Sequence, residues 1–278
     1  MKIASKIYTA LIFLFLYAPI AVMILFSFNG SSSTAVLSGF SFRWYRELFS
    51  DDKAGEALLN TLKLALYSTA IATVLGTLAA VALSKMKRRW LRSTHTSILS
   101  IPMMNPDIVT AVSMLMLFVF VGNLLNVASR SFLTVLIAHV TFNLPYVTLS
   151  VTPKLRQMDR NLPEAAADLG CTPLRSFFLV ELPAILPGVL SGALMAFTLS
   201  LDDFIITQFT KGEGFYTLPT YIYSMTKRKV APDMYALSTL IFLVILCLLV
   251  LSNVVQAKMD QRRNPKRNPK AHKKGTQH

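Results

Sequence analysis

Apolar residues come along this chain in long blocks, not at the alternating spacing of half-buried strands or the narrow stripe of surface helices. A bilayer-crossing helix needs about 20 mostly apolar residues. Six stretches meet that length: positions 7–28, 58–83, 97–121, 132–151, 184–209 and 234–255. The first is longer than the apolar core of a cleaved signal peptide and reads as a retained anchor. The fourth is the most polar. The pattern predicts an all-α membrane protein with six transmembrane helices, one membrane domain over 1–257 and a polar arm over 258–278.

Composition agrees. Of 278 residues, 53% are hydrophobic and 15% charged, which excludes a disordered chain and disfavours an ordinary soluble enzyme. The formal net charge is nevertheless +14. Lys and Arg concentrate between alternate spans. They include Lys2 and Lys6, the cluster Lys85, Lys87, Arg88, Arg89 and Arg92, then Lys154, Arg156, Arg160 and Arg175, and the run from Lys258 onward. That bias predicts cytoplasmic N- and C-termini. The arm at 258–278 reads as basic, disordered and directed at anionic lipid. No aromatic residues interleave its charges, so nucleic acid is not the expected partner.

The cytoplasmic segment 152–183 joins the fourth and fifth spans, and from Asn161 it reads NLPEAAADLGCTPLRSFFLVELPAILPG. Asn161 can cap a helix, with Pro163 in the first turn and Glu164 completing a capping box. Ala165, Ala166 and Ala167 favour helix, and Gly170 is a natural stop. Thr172 caps a second helix that starts at Pro173. Pro183 and Pro187 are expected to end or kink it. Spacing alone is equally met by an ordinary helical hairpin.

Glu164-Ala165-Ala166, Gly170, Leu182-Pro183 and Pro187 resemble the EAA loop of ABC-importer permease subunits. The likeness extends to Met103-Met104-Asn105-Pro106-Asp107-Ile108-Val109, to Phe197 through Asp203, and to Leu218-Pro219 with Tyr221-Ile222-Tyr223-Ser224-Met225. These segments are similar to permeases of spermidine/putrescine importers. The resemblance implies the type I ABC-importer permease fold in the inner membrane and one half of a polyamine pathway. It also implies a second homologous permease, a dimer of ATPase subunits and a binding protein that delivers substrate. Glu164, Ala165, Ala166 and Gly170 then form the coupling helix that docks on the ATPase. Lys227-Arg228-Lys229 and Tyr235 depart from the family pattern and leave the exact polyamine open; the same machine for another cargo, such as thiamine or ferric ion, is a separate alternative. A proton-coupled secondary transporter is the alternative class, but it has no use for a docking helix.

The chain holds no glycine-rich phosphate loop, so ATP and magnesium are expected on the partner ATPase and no cofactor on this chain. No HExxH or Cys/His pairing suggests a metal. His139, alone in the fourth span, reads as a hydrogen bonder between helices. Lys63 reads as a snorkelling side chain. Three carboxylates lie within spans, where charge is costly: Asp107, Asp202 and Asp203. Asp107 follows Pro102 and Pro106, which are expected to break the third span near mid-depth. It can cap the broken helix, meet substrate, or do both. Asp202 and Asp203 sit at a helix C-terminus, where they oppose the macrodipole and each other. A passing polycation would offset that cost. Trp44, Tyr45, Tyr221 and Tyr223 are candidate cation–π faces, or equally interfacial belt aromatics.

Overall fold

The computed structural model describes residues 2–31, 36, 38–125, 131–159, 161–226, 234–240, 242–244, 246–247, 250 and 254. Among them the chain is helical: α1 (Lys2–Ser27), α2 (Arg43–Phe49), α3 (Asp52–Lys85), α4 (Arg89–Met104), α5 (Asp107–Leu125), α6 (Phe132–Gln157), α7 (Asn161–Asp168), α8 (Pro173–Ser176), a π-helical turn π1 (Phe177–Glu181), α9 (Leu182–Asp202), α10 (Ile205–Thr210) and α11 (Leu218–Thr226). An apolar helix follows from Met234. Five helical segments are long and apolar enough to cross a membrane: Ser5–Ser27, Asp52–Lys85, Asp107–Leu125, Phe132–Gln157 and Pro173–Asp202. The last expected span, 234–255, falls partly outside the described residues, and the arm at 258–278 and Lys227-Arg228-Lys229 fall wholly outside them.

Two spans differ from expectation, each for a local reason. The stretch 97–121 is not one helix. Asn105 is extended (φ −81°, ψ 144°) and α5 begins at Asp107. Pro106 cannot donate a backbone hydrogen bond, and it pushes the residue before it out of the α region. Asp107 therefore opens a span and does not lie ten residues inside one. The stretch 184–209 is also divided. Its helix starts earlier, because α8, π1 and α9 form one helical path through Pro183 and Pro187. The expected break at Pro183 is replaced by π1, where Leu182 N–H reaches the Phe177 carbonyl. The wider turn lets the chain pass a proline that has no N–H to give. The helix then stops at Asp202, short of the expected 209.

The chain forms two compact units, Met1–Asn60 with Tyr216–Cys247, and Thr61–Phe215 with Leu248–His278. In the first, Leu48, Ala54, Ala57, Leu218 and Leu237 form the core. A cluster of Phe28, Phe40, Phe42 and Tyr45 lies beside a single bridge between Asn29 and Phe40.

In the second unit, α6 and α9 share a long interface. Its core is Ala72, Ala80, Val147, Val151, Leu155, Ile185 and Ala196. Lipid tails are as apolar as these side chains, so close approach of small residues must supply the attraction. Glycines permit it. A Cβ at Gly76 would lie 2.8 Å from Val147 Cβ, and one at Gly192 would lie 3.0 Å from Val147 Cα. Gly192→Leu should therefore lower the melting temperature in detergent, at a cost of about 1–3 kcal/mol. Gly55→Ala, where a Cβ meets nothing within 4 Å, should not.

Candidate functional site

The path from α9 to α10 turns on Asp203. As the last residue of α9, Asp202 is exposed and faces an unfavourable macrodipole. The break turns the liability of a second acid into an advantage. Asp203 is extended (φ −64°, ψ 125°), and its carboxylate sits at the N-terminus of α10, where negative charge is favoured. Oδ1 accepts from Ile206 N (3.2 Å), and Oδ2 accepts from Thr207 N and Thr207 Oγ1 (2.8 Å each).

The same carboxylate meets His139 from α6, whose Nε2 lies 3.3 Å from Oδ2. His139 is 1% exposed. Its Nε2 is 2.9 Å from Thr207 Oγ1 and its Nδ1 is 3.0 Å from Ser200 Oγ. Thr207 gives its hydroxyl hydrogen to the carboxylate, so its oxygen is left to accept and His139 Nε2 carries a proton. Ser200 Oγ also accepts from Asn143 Nδ2 (2.8 Å) and pairs with Ser68 Oγ on α3 (2.8 Å). The network joins α3, α6, α9 and α10 beside an apolar cluster of Ala111, Ala138, Phe142 and Ile206. His139 is a hydrogen bonder between helices, as its isolation in the span suggested.

Asp107 and Asp202 are the exposed members of the three acids; Asp203 is engaged. Asp107 occupies the first turn of α5, a position that suits the helix dipole. The aromatic candidates lie in the first unit. Trp44 is buried, donates from Nε1 to Asn29 O (2.6 Å) and has the Arg43 guanidinium 5.0 Å from its ring centre. Tyr45 Oη pairs with Ser27 Oγ (2.8 Å), and Tyr221 Oη donates to Asp51 Oδ2 (2.6 Å). Tyr223 is exposed. Lys63 is exposed on α3.

The loop between α6 and α9 follows its sequence closely, with one exchange. The Asp159 carboxylate leads into α7, accepting from Asn161 N at 3.0 Å, and Asn161 is the first helical residue and not the cap. At the other end Cys171 N donates to Ala166 O (3.0 Å) and Gly170 N to Ala167 O (2.9 Å). This double closure needs a left-handed residue, and Gly170 has φ +80°. Thr172 then caps α8 by accepting from Arg175 N. Glu164 and Ala165 are exposed, while Ala166 is buried. Two exposed apolar side chains flank the turn, Leu169 at 85% and Leu174 at 73%. Sequence reasoning passed over both, although a leucine beside a helix-stop glycine in a cytoplasmic loop was the available signal.

Residues 72–265 match the family model described as binding-protein-dependent transport system inner membrane component. The chain belongs to that family.

The permease is 42% identical over 230 residues to the putrescine transport system permease protein PotI of Escherichia coli (strain K12), covering 82% of each chain. It is 38% identical over 247 residues to the spermidine/putrescine transport system permease protein PotC of Haemophilus influenzae, covering 89% of this chain and 94% of that one. Its fold matches a chain of a bacterial ABC transporter that imports alginate, with a TM-score of 0.74 at 18% identity over 92% of this chain and 94% of that one. A chain of the MetNI methionine transporter matches with a TM-score of 0.57 at 18% identity, over 73% and 94%. The permease thus has the helical fold of ABC-importer membrane subunits.

The two adjacent acids should separate in experiment. Asp203→Ala removes a cap and strands His139, so it should lower thermal stability in detergent by about 1 kcal/mol or more. Asp202→Ala should leave the melting temperature unchanged. Equal effects of the two would contradict the division of labour.

Proposed function

We propose that this permease forms half of the membrane pathway of an ATP-driven polyamine importer. The observation that carries the reading is the docking loop: a two-turn helix bearing exposed Glu164, closed by left-handed Gly170 and flanked by Leu169 and Leu174. Such a shape serves a chain that receives mechanical work from another subunit. In this reading the chain crosses the inner membrane six times with both termini in the cytoplasm. It pairs with a second, homologous permease, and each docks on one subunit of an ATPase dimer that holds ATP and magnesium. A binding protein outside supplies the substrate. The names of the relatives support putrescine or spermidine as cargo.

A polyamine carries compact, strongly hydrated ammonium groups. A pathway must replace that hydration without trapping the cation. Asp107 and Asp202 receive the amines in turn, while Asp203 holds the shape of the turn beside them. Tyr45, Tyr221 and Tyr223 offer aromatic faces of order 0.5–2 kcal/mol each, which attract without a fixed charge; Trp44 is buried with the Arg43 guanidinium over its ring and drops out of that set.

Two measurements test this. Labelled-putrescine uptake in a strain lacking its own polyamine importers should require this chain together with its partner subunits. It should fall strongly in the Asp107→Asn/Asp202→Asn variant at equal membrane abundance. Normal uptake in that variant would remove the acids from the pathway. Gly170→Asp should insert normally but lose stimulation of ATP hydrolysis by the putrescine-loaded binding protein. The left-handed backbone alone costs a side chain there about 1 kcal/mol or more. Full uptake by Gly170→Asp, or uptake by the purified chain alone, would overturn the docking role.

A further inference from the structure

Glu181 is unused by the pathway and by the docking helix, yet it is a carboxylate with 3% of its side chain exposed. It lies in π1, between the docking loop and α9. Its Oε1 is 3.0 Å from Lys85 Nζ, and Lys85 is the last residue of α3, with 58% of its side chain exposed. A buried charge held by one partly solvated partner is an expensive arrangement when well-packed apolar side chains would fill the same space. Its position gives it a use.

A π turn is a single-residue expansion of a helix and the weak point of the path it interrupts. If π1 relaxed to α geometry, everything beyond it would turn by about one residue's step, roughly 100° and 1.5 Å. A push on α7 could then be absorbed in the joint and never reach α9. Beyond the joint, the chain is stiff. Gly188 and Gly192 of α9 seat directly against Lys154, Ser150 and Val147 of α6. Before it, Ala166 is buried and the turn at Gly170 is doubly closed. The π turn lies between a closely packed helix and a doubly closed turn, and the ion pair ties it to the end of α3.

We infer that the Lys85–Glu181 ion pair is a positioning element for energy coupling. It locks π1, so that movement of the docking helix passes to α9 and α3 together. The inference rests on the proposed importer function and adds residues to it. Lys85 and Glu181 pair with each other, and in this inference they act through π1.

The test uses the complete importer in lipid vesicles with putrescine-loaded binding protein, measuring putrescine uptake and ATP hydrolysis on the same preparation. Glu181→Gln and Lys85→Met should each lower putrescine moved per ATP by about fivefold or more, the lower end of ordinary coupling effects. The Lys85→Glu/Glu181→Lys exchange should restore a large part of the ratio. Should Glu181→Gln fail to assemble, Lys85→Met and the exchange carry the test, because Lys85 is largely solvated. A ratio unchanged in the single variants overturns the inference. So does a loss of uptake and hydrolysis in step with lost assembled complex, which marks an ordinary structural bridge. Wild-type vesicles separate the two levels. If their hydrolysis is not stimulated by the loaded binding protein, the importer function itself falls, and the inference with it.

Discussion

A carboxylate placed among apolar helices must be paired and hydrogen-bonded, or it cannot stay charged. That requirement, met at Asp203, fixes much of the second unit. Satisfying the charge takes the first amides of α10, the hydroxyl of Thr207 and the imidazole of His139. His139 in turn needs a partner for its other nitrogen and finds it in Ser200, which gathers Asn143 and Ser68. One charge therefore specifies the contact of four helices. Apolar packing alone would leave their register loose, because lipid competes equally for greasy side chains.

Close packing by glycine complements that polar specification. Gly76, Gly188 and Gly192 bring α3 and α9 onto α6 so closely that a Cβ at any of them would crowd a neighbour. The two devices work at different depths of the same bundle. Hydrogen bonds choose the register near Ser200, and backbone proximity holds it toward Lys154. The result is a stiff block on which exposed Asp202, at the end of α9, is presented.

The loop between α6 and α9 was almost fully legible in the sequence, because caps and glycine stops act within a few residues. Gly170 and Thr172 do what their types dictate; only Asn161 differs, standing inside the helix and not before it. The spans were legible as apolar blocks, and a helix break near Pro106 followed from proline chemistry. The division of Asp202 from Asp203 was not legible. Hydropathy runs unbroken through Phe204 to Phe209, and the reason for the break lies on α6, more than sixty residues earlier in the chain, at His139. Trp44, Tyr45 and Tyr221 were recognised as notable without their partners, since Asn29, Ser27 and Asp51 are brought to them by tertiary structure. The π turn escaped for the opposite reason: Pro183 signals a disruption but not how the chain absorbs it.

Leu169 and Leu174, on either side of the Gly170 turn, carry a cost that falls on the cell. Both side chains stand in water on a single copy of the chain. Exposed apolar groups on a mobile membrane protein invite chance association and inspection by chaperones and proteases. In the proposed importer, a copy without its ATPase keeps both leucines in water, whereas docking removes them from it.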